Sequence, residues 1–133
     1  MTSQPINILC VDDSPQLTAA LMKFLALQPD MNPVGELNQA DDLVAEAKRR
    51  QAHVVLLDLT MSGRNPIDAL RSLTEADDQI RVIVYSGISD DEAVSDAIAA
   101  GAWGFVDKAQ DPQHVLNTIR RVAKGEVVLP RRS

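Results

Sequence analysis

Cysteine is nearly absent: Cys10 stands alone among 133 residues, which excludes an intramolecular disulfide and a cysteine-based zinc site and fits a reducing compartment. Long apolar runs are missing too. No stretch approaches the roughly 20 residues that a bilayer-crossing helix needs, and the start Met-Thr-Ser-Gln-Pro-Ile-Asn lacks the charged and apolar regions of a secretory leader. A cytoplasmic protein without membrane attachment is expected. Basic residues are the third scarcity, with 13 Lys and Arg against 19 Asp and Glu and a formal charge of −6. Nucleic-acid phosphates are bound by clustered Lys and Arg, and here those residues are scattered outside short pairs. Direct nucleic-acid contact is therefore not expected, and any DNA binding would need another domain. His53 and His114 have no second His or Cys at metal-ligand spacing and read as solvated side chains.

What remains is an ordinary globular composition, 45% hydrophobic and 24% charged, in a chain long enough for one hydrophobic core. A single domain is expected, with a core over about residues 5–124 and a short C-terminal tail over 125–133. Ile6 to Val11, Val54 to Leu57 and Ile80 to Tyr85 are short runs of β-branched and large apolar residues, the pattern of buried parallel strands. Val34 to Leu37 is a weaker strand behind Pro33, suited to a sheet edge where a missing N–H is tolerated. Gly104 to Val106 supplies a fifth. Between them lie helices with recognisable starts. Ser14-Pro15 precedes Leu17, Ala20, Leu21, Phe24 and Leu25 at helical spacing; Leu43, Val44 and Ala47 mark a second helix; Asn65-Pro66 opens a third. Asp90-Asp91-Glu92 puts acid in the first turn of a fourth, with Gly101 as its stop, and Asp111-Pro112 opens a fifth carrying Val115, Leu116, Ile119 and Val122 inward. The alternation is (βα)5. It predicts an α/β fold, a flavodoxin-like doubly wound five-stranded parallel sheet of order 2-1-3-4-5.

The polar residues that interrupt these runs all fall at carboxyl ends of strands: Asp12-Asp13 after the first, Asp58 after the third, Ser86 after the fourth, Asp107-Lys108 after the fifth. That edge holds the binding crevice of open α/β sheets, where the strand order reverses, and the order 2-1-3-4-5 places the reversal between strands one and three. Asp12, Asp13 and Asp58 should therefore converge. Three like charges so placed need a cation, and Mg²⁺ takes oxygen ligands, commonly one or two carboxylates together with a phosphate oxygen. Lys108 adds a point charge that can meet a transferring phosphoryl group, and the Ser86 hydroxyl can donate to one of its oxygens.

Four stretches, Ile-Leu-Cys-Val-Asp-Asp-Ser-Pro, Val-Val-Leu-Leu-Asp-Leu-Thr-Met, Val-Ile-Val-Tyr-Ser-Gly and Gly-Ala-Trp-Gly-Phe-Val-Asp-Lys, occur in an order that resembles the receiver domains of two-component response regulators across essentially the whole chain. The resemblance implies Asp58 as phosphoacceptor for a sensor histidine kinase. It implies Asp13 and Asp12 as ligands of Mg²⁺ (or Mn²⁺), directly or through water, with Asp58 and the Thr60 carbonyl completing the metal site. Ser86 and Lys108 would read the phosphoryl group, and Phe105 would turn inward when Ser86 moves, although an aromatic packed for area alone fits that position as well. The surface formed by the fourth helix, fifth strand and fifth helix would then switch, with a homodimer as one possible result. Gly-Ala-x-Gly-aromatic and the closing Gly-Glu-Val-Val-Leu-Pro resemble the NarL/FixJ subfamily, whose members append a helix-turn-helix domain. The implied output is transcriptional, through such a domain absent from these residues; a stand-alone receiver acting by protein contact or in a phosphorelay is the alternative. No enzymatic activity is expected beyond self-phosphorylation and self-dephosphorylation.

Three positions depart from the family pattern. Ser62 and Pro66 stand where proline and glycine are usual, so the loop after the third strand should differ, and Ala109 replaces a proline after Lys108. Thr60 and Ile88 match the family's variable neighbours of the acceptor. Ile88 cannot hydrogen-bond the water that hydrolysis needs and Thr60 offers one short hydroxyl, so a long-lived phosphoryl group is expected. An aspartate-nucleophile phosphohydrolase would want a second acid two residues beyond its nucleophile, where this chain has Thr60 or Ser14. A flavodoxin-like cofactor module would set the flavin phosphate against Asp12-Asp13, which repel it. Cys10 reads as a small buried apolar side chain. Trp103 reads as a packed cover on the sheet's end or as an exposed contact residue.

Overall fold

The four residues of Val54–Leu57 are all buried, because a strand with helices on both faces has no solvent side. In the computed structural model, which describes residues 4–61, 63, 65–87 and 90–130, this strand is β3, and it lies between β1 (Ile6–Val11) and β4 (Arg81–Ser86). β2 (Met31–Leu37) and β5 (Gly104–Asp107) form the edges of a fully parallel sheet of order β2-β1-β3-β4-β5. The helices are α1 (Pro15–Ala26), α2 (Leu43–Arg49), α3 (Pro66–Ala76), α4 (Asp91–Ala100) and α5 (Pro112–Ala123). This is the doubly wound fold expected from the alternation of periodicities.

Side-chain alternation along the strands divides the core in two. Leu9, Val11, Val55, Leu57 and Val84 face Leu43, Leu70, Leu73 and Ala97 of α2, α3 and α4. Ile8, Cys10, Val54, Leu56 and Ile83 face Leu25 of α1 and Val115, Leu116 and Ile119 of α5. Within α1, Thr18 and Leu25 are the buried positions and Ala20 is exposed, so the inward stripe is narrower than its spacing suggested. The helix starts are as expected except at α4, which begins at Asp91 and leaves Asp90, expected in the first turn, as its cap. Ser14, Asn65, Asp90 and Asp111 cap α1, α3, α4 and α5 with their side chains, and Pro15, Pro66 and Pro112 occupy the first turns where no N–H is missed. Pro66 is thus well placed without glycine's freedom: Asn65 Oδ1 accepts the amides of Ile67 and Asp68 at 2.8 and 3.4 Å.

Three strands differ in their bounds from the sequence reading. β2 begins at Met31, because pairing with β1 carries Asn32 and Pro33 into the ladder despite their poor propensity. Its register slips where Ile8 pairs Pro33 and Leu9 pairs Gly35; Arg50 Nη1 takes up the Val34 carbonyl there at 2.8 Å. β4 starts one residue later than Ile80 and reaches Ser86, and β5 reaches Asp107. Part of the segment after α5 is tied to the sheet. Val128 forms a parallel bridge with Gly104, and Val128 and Leu129 pack against the two cores.

Candidate phosphoryl site

Backbone pairing aims the acidic residues. The Asp12 amide donates to the Leu37 carbonyl at 3.0 Å and the Asp58 amide to the Val11 carbonyl at 3.0 Å, which fixes both at the carboxyl edge beside the end of β1. The Ser14 amide holds Asp12 Oδ1 at 2.9 Å. Asp12, Asp13 and Asp58 each offer a carboxylate oxygen within 4.8 Å of the others. Asp58 is only 2% exposed, whereas Asp13 is exposed. Thr60 donates to Asp58 from its amide at 3.2 Å and from its hydroxyl at 3.0 and 3.1 Å.

Lys108 is the cation among these acids. Its Nζ lies 2.6 Å from Asp12 Oδ2 and 3.4 Å from Asp58 Oδ2. Burial alone would push its pKa down, but the hydrogen bond to Asp12 and the charges of Asp58 and Asp12 outweigh burial and hold it above its ordinary value. One ammonium does not balance three carboxylates. Like charges about 4–5 Å apart repel by roughly 3–4 kcal/mol at an effective dielectric of about 20, so the cluster favours a further cation, and its hard oxygen donors suit a divalent one.

The structure brings Asp12, Asp13, Asp58, Thr60 and Lys108 together, as the sequence suggested. Ser86 is fully buried, and its carbonyl accepts the Lys108 amide at 3.0 Å, tying the ends of β4 and β5 to the site. Phe105 is buried among the side chains packed on α2, α3 and α4, paired in register with Val84 and so on the face that Ser86 shares. Ile88 and Ser62 lie outside the described residues. Where a proline could have shaped the β5–α5 turn, Asp107 does so: its carboxylate accepts the Ala109 amide at 2.8 Å, and its amide donates to Gln110 Oε1 at 3.1 Å. Burial, Glu36 and Asp12 push the Cys10 thiol up to about 12. It stays protonated and is packing, as expected. Trp103 is half-buried under the Arg81 guanidinium, 4.6 Å from the ring centroid, at the amino end of β5 and away from the acids.

One neighbour was not foreseen. Tyr85 places its ring 5.9 Å from Lys108 Nζ, on the α1 and α5 side of the sheet. Burial raises its pKa, partly opposed by the Lys108 charge. Its signal in the sequence was a polar-tipped aromatic immediately before Ser86, where the strand alternation turns it to the opposite face.

Residues 8–120 match the model of the response regulator receiver domain. The chain belongs to that family. This receiver is 32% identical over 126 residues to the nitrate/nitrite response regulator protein NarL of Escherichia coli strain K12, a match that covers 95% of the chain and 58% of NarL. It is 31% identical over 121 residues to the transcriptional regulatory protein LiaR of Bacillus subtilis strain 168, covering 91% of the chain and 57% of LiaR. The receiver thus spans less than two thirds of these relatives. A LuxR-family two-component response regulator from Aurantimonas sp. SI85-9A1 superimposes with a TM-score of 0.88 at 24% identity, over 94% of this chain and 89% of that one, and shares the fold. The chain is a receiver domain of the NarL type. No helix among its described residues is long and apolar enough to cross a membrane.

Proposed function

We propose that Asp58 accepts a phosphoryl group from the phosphohistidine of a sensor histidine kinase. The observation that carries this reading is a nearly buried carboxylate at the switch point of the sheet, with an ammonium 3.4 Å from its Oδ2 and two further carboxylates beside it. An Asp58 oxygen attacks phosphorus in line. The new O–P bond forms as the P–N bond breaks, and its electron pair leaves on the imidazole. Mg²⁺ or Mn²⁺ held by Asp12, Asp13, Asp58 and the Thr60 carbonyl would offset the crowding of carboxylates and neutralise charge on the phosphoryl oxygens. Lys108 supplies positive charge where that group arrives, and the Ser86 hydroxyl donates to one of its oxygens. Those contacts exist only in the phosphorylated state, so they bias the α4-β5-α5 surface through Phe105, which is already buried on the face that Ser86 shares. Asp58 gains and loses the phosphoryl group, and no other reaction is proposed. The output is transcriptional.

The test is intact-mass measurement after incubation with acetyl phosphate and Mg²⁺. Wild type should gain a single phosphoryl mass and Asp58→Asn none. Uptake by the Asn variant would disprove the acceptor.

A further inference from the structure

β5 is an edge strand, and an open edge presents unpaired amide and carbonyl groups. The chain covers this edge with its own C-terminal segment. After α5, Gly125 takes a φ of +98°, a conformation glycine adopts without a Cβ clash, and the chain reverses. The Glu126 amide donates to the Arg121 carbonyl at 3.0 Å, and the Arg121 guanidinium meets the Glu126 carboxylate at 3.3 Å. Val128 then runs parallel to β5. Its amide donates to the Trp103 carbonyl at 2.8 Å and its carbonyl accepts the Phe105 amide at 3.2 Å. Val128 packs against the core under α1 and α5; Leu129 packs against the other, the one that contains Phe105. Because the pairing is parallel, the chain at Pro130 travels toward the carboxyl ends of the strands, the end that holds Asp58.

We propose that residues 126–130 form a strap whose docking on β5 is coupled to the phosphorylation state of Asp58, an inference that rests on the function proposed above. The route is short. Lys108 and Ser86 are joined through their backbones at the site. Phe105 shares a face with Ser86, gives its amide to the strap, and shares a core with Leu129. Interiors this closely packed leave little slack, so a shift of Ser86 and Phe105 toward a bound phosphoryl group changes how Val128 and Leu129 seat. Coupling of this kind is reciprocal. Loosening the strap must change the affinity of the site for a phosphoryl analogue.

The experiment is residue-resolved amide exchange by NMR on the whole chain, with and without beryllofluoride and Mg²⁺, with the ¹⁹F signal reporting occupancy of Asp58. The Val128 amide should change its exchange rate by about tenfold on occupancy while the Val55 and Leu56 amides of the central strand do not. Val128→Pro removes the strap's donor, and Leu129→Ala trims its side chain while leaving the backbone bonds; each should shift beryllofluoride affinity by several-fold, on the order of the same coupling. A clear ¹⁹F signal with unchanged Val128 exchange overturns the strap and leaves the phosphoacceptor standing. Unchanged affinity in both variants overturns it as well. Absence of any Asp58-dependent ¹⁹F signal overturns the phosphoacceptor, and the strap with it.

Discussion

At the amino ends of the strands, Asn7, Asn32, Gln51, His53 and Gln79 line a groove of about 820 Å³; at the carboxyl ends, Asp12, Glu36 and Asn38 line a smaller one of about 300 Å³, and Asp12, Asp58 and Tyr85 border a void of about 10 Å³. Among the described residues, the larger space has no cluster of acids like the one at the carboxyl ends. Several of its polar groups pair with one another: the Asn7 amide donates to His53 Nδ1 at 2.9 Å, Asn7 Nδ2 donates to the Gln51 carbonyl at 3.0 Å, and Asn32 Nδ2 donates to Asn7 Oδ1 at 3.0 Å. These bonds join loops and strand ends as any fold must. The carboxyl end does the reverse, gathering like charges that a stability criterion alone would keep apart. Volume therefore does not mark the functional edge. Convergent, imperfectly neutralised charge does.

Breaking the charge cluster should have the largest effect. Asp13→Asn is expected to weaken Mg²⁺ binding by about tenfold or more, and Asp12→Asn by less, because Asp13 is exposed and uncommitted to Lys108 while Asp12 already shares its charge with that ammonium. Calorimetric titration reads the affinities. Equal affinities in both variants and wild type would remove the metal role. Trp103 should be blind to the titration, since it lies at the opposite end of β5 under Arg81.

The lifetime of the phosphoryl group sharpens the same contrast. The Thr60 hydroxyl is occupied by both Asp58 oxygens, which leaves little to orient an attacking water. Thr60→Asn, Ile88→Glu and above all the double variant should lose the phosphoryl group several-fold faster than wild type in saturating Mg²⁺. Decay of wild type at the rate of the double variant would remove this explanation.

Lys108→Met should destabilise the fold by about 1–3 kcal/mol near neutral pH, since it strips a charged hydrogen bond from Asp12 and leaves Asp58 less compensated. The pH dependence has a definite sign. A lysine whose pKa is raised in the folded state contributes stability in full below its unfolded value of 10.5, and loses it as pH rises through the raised folded value. The gap between wild type and variant in urea denaturation should therefore hold from neutral pH to about 10 and close above it. A gap that widens there would contradict the pairing.

At the amino end the expected effect is smallest. His53→Ala removes an acceptor for the Asn7 amide and should cost about 1 kcal/mol in denaturation, with phosphoryl uptake and Mg²⁺ affinity unchanged. A loss of uptake would show that the two ends are not independent.

Much of the site was legible because it falls where strand periodicity stops. Asp12, Asp58, Ser86 and Lys108 each follow a buried apolar run, and a parallel sheet delivers all such ends to one edge. Capping residues were legible for a similar reason, being local: Ser14, Asn65 and Asp111 act on amides two or three residues away. β2 was underread because an edge strand is held by its neighbour's hydrogen bonds, and Asn32 and Pro33 carry no local signal of that partner.

The sequence by itself determined the order of strands and helices, their caps, and the set of acids presented at one end, since each depends on periodicity and short-range hydrogen bonding. Tertiary structure alone decided that Lys108 reaches across 96 residues to Asp12 at 2.6 Å and lies farther from Asp58, that Tyr85 faces it, and that Val128 closes the β5 edge beside Phe105. Those choices depend on distances between residues remote in the chain. Such distances are set by how the two cores pack on the sheet, and no local pattern of residues encodes them.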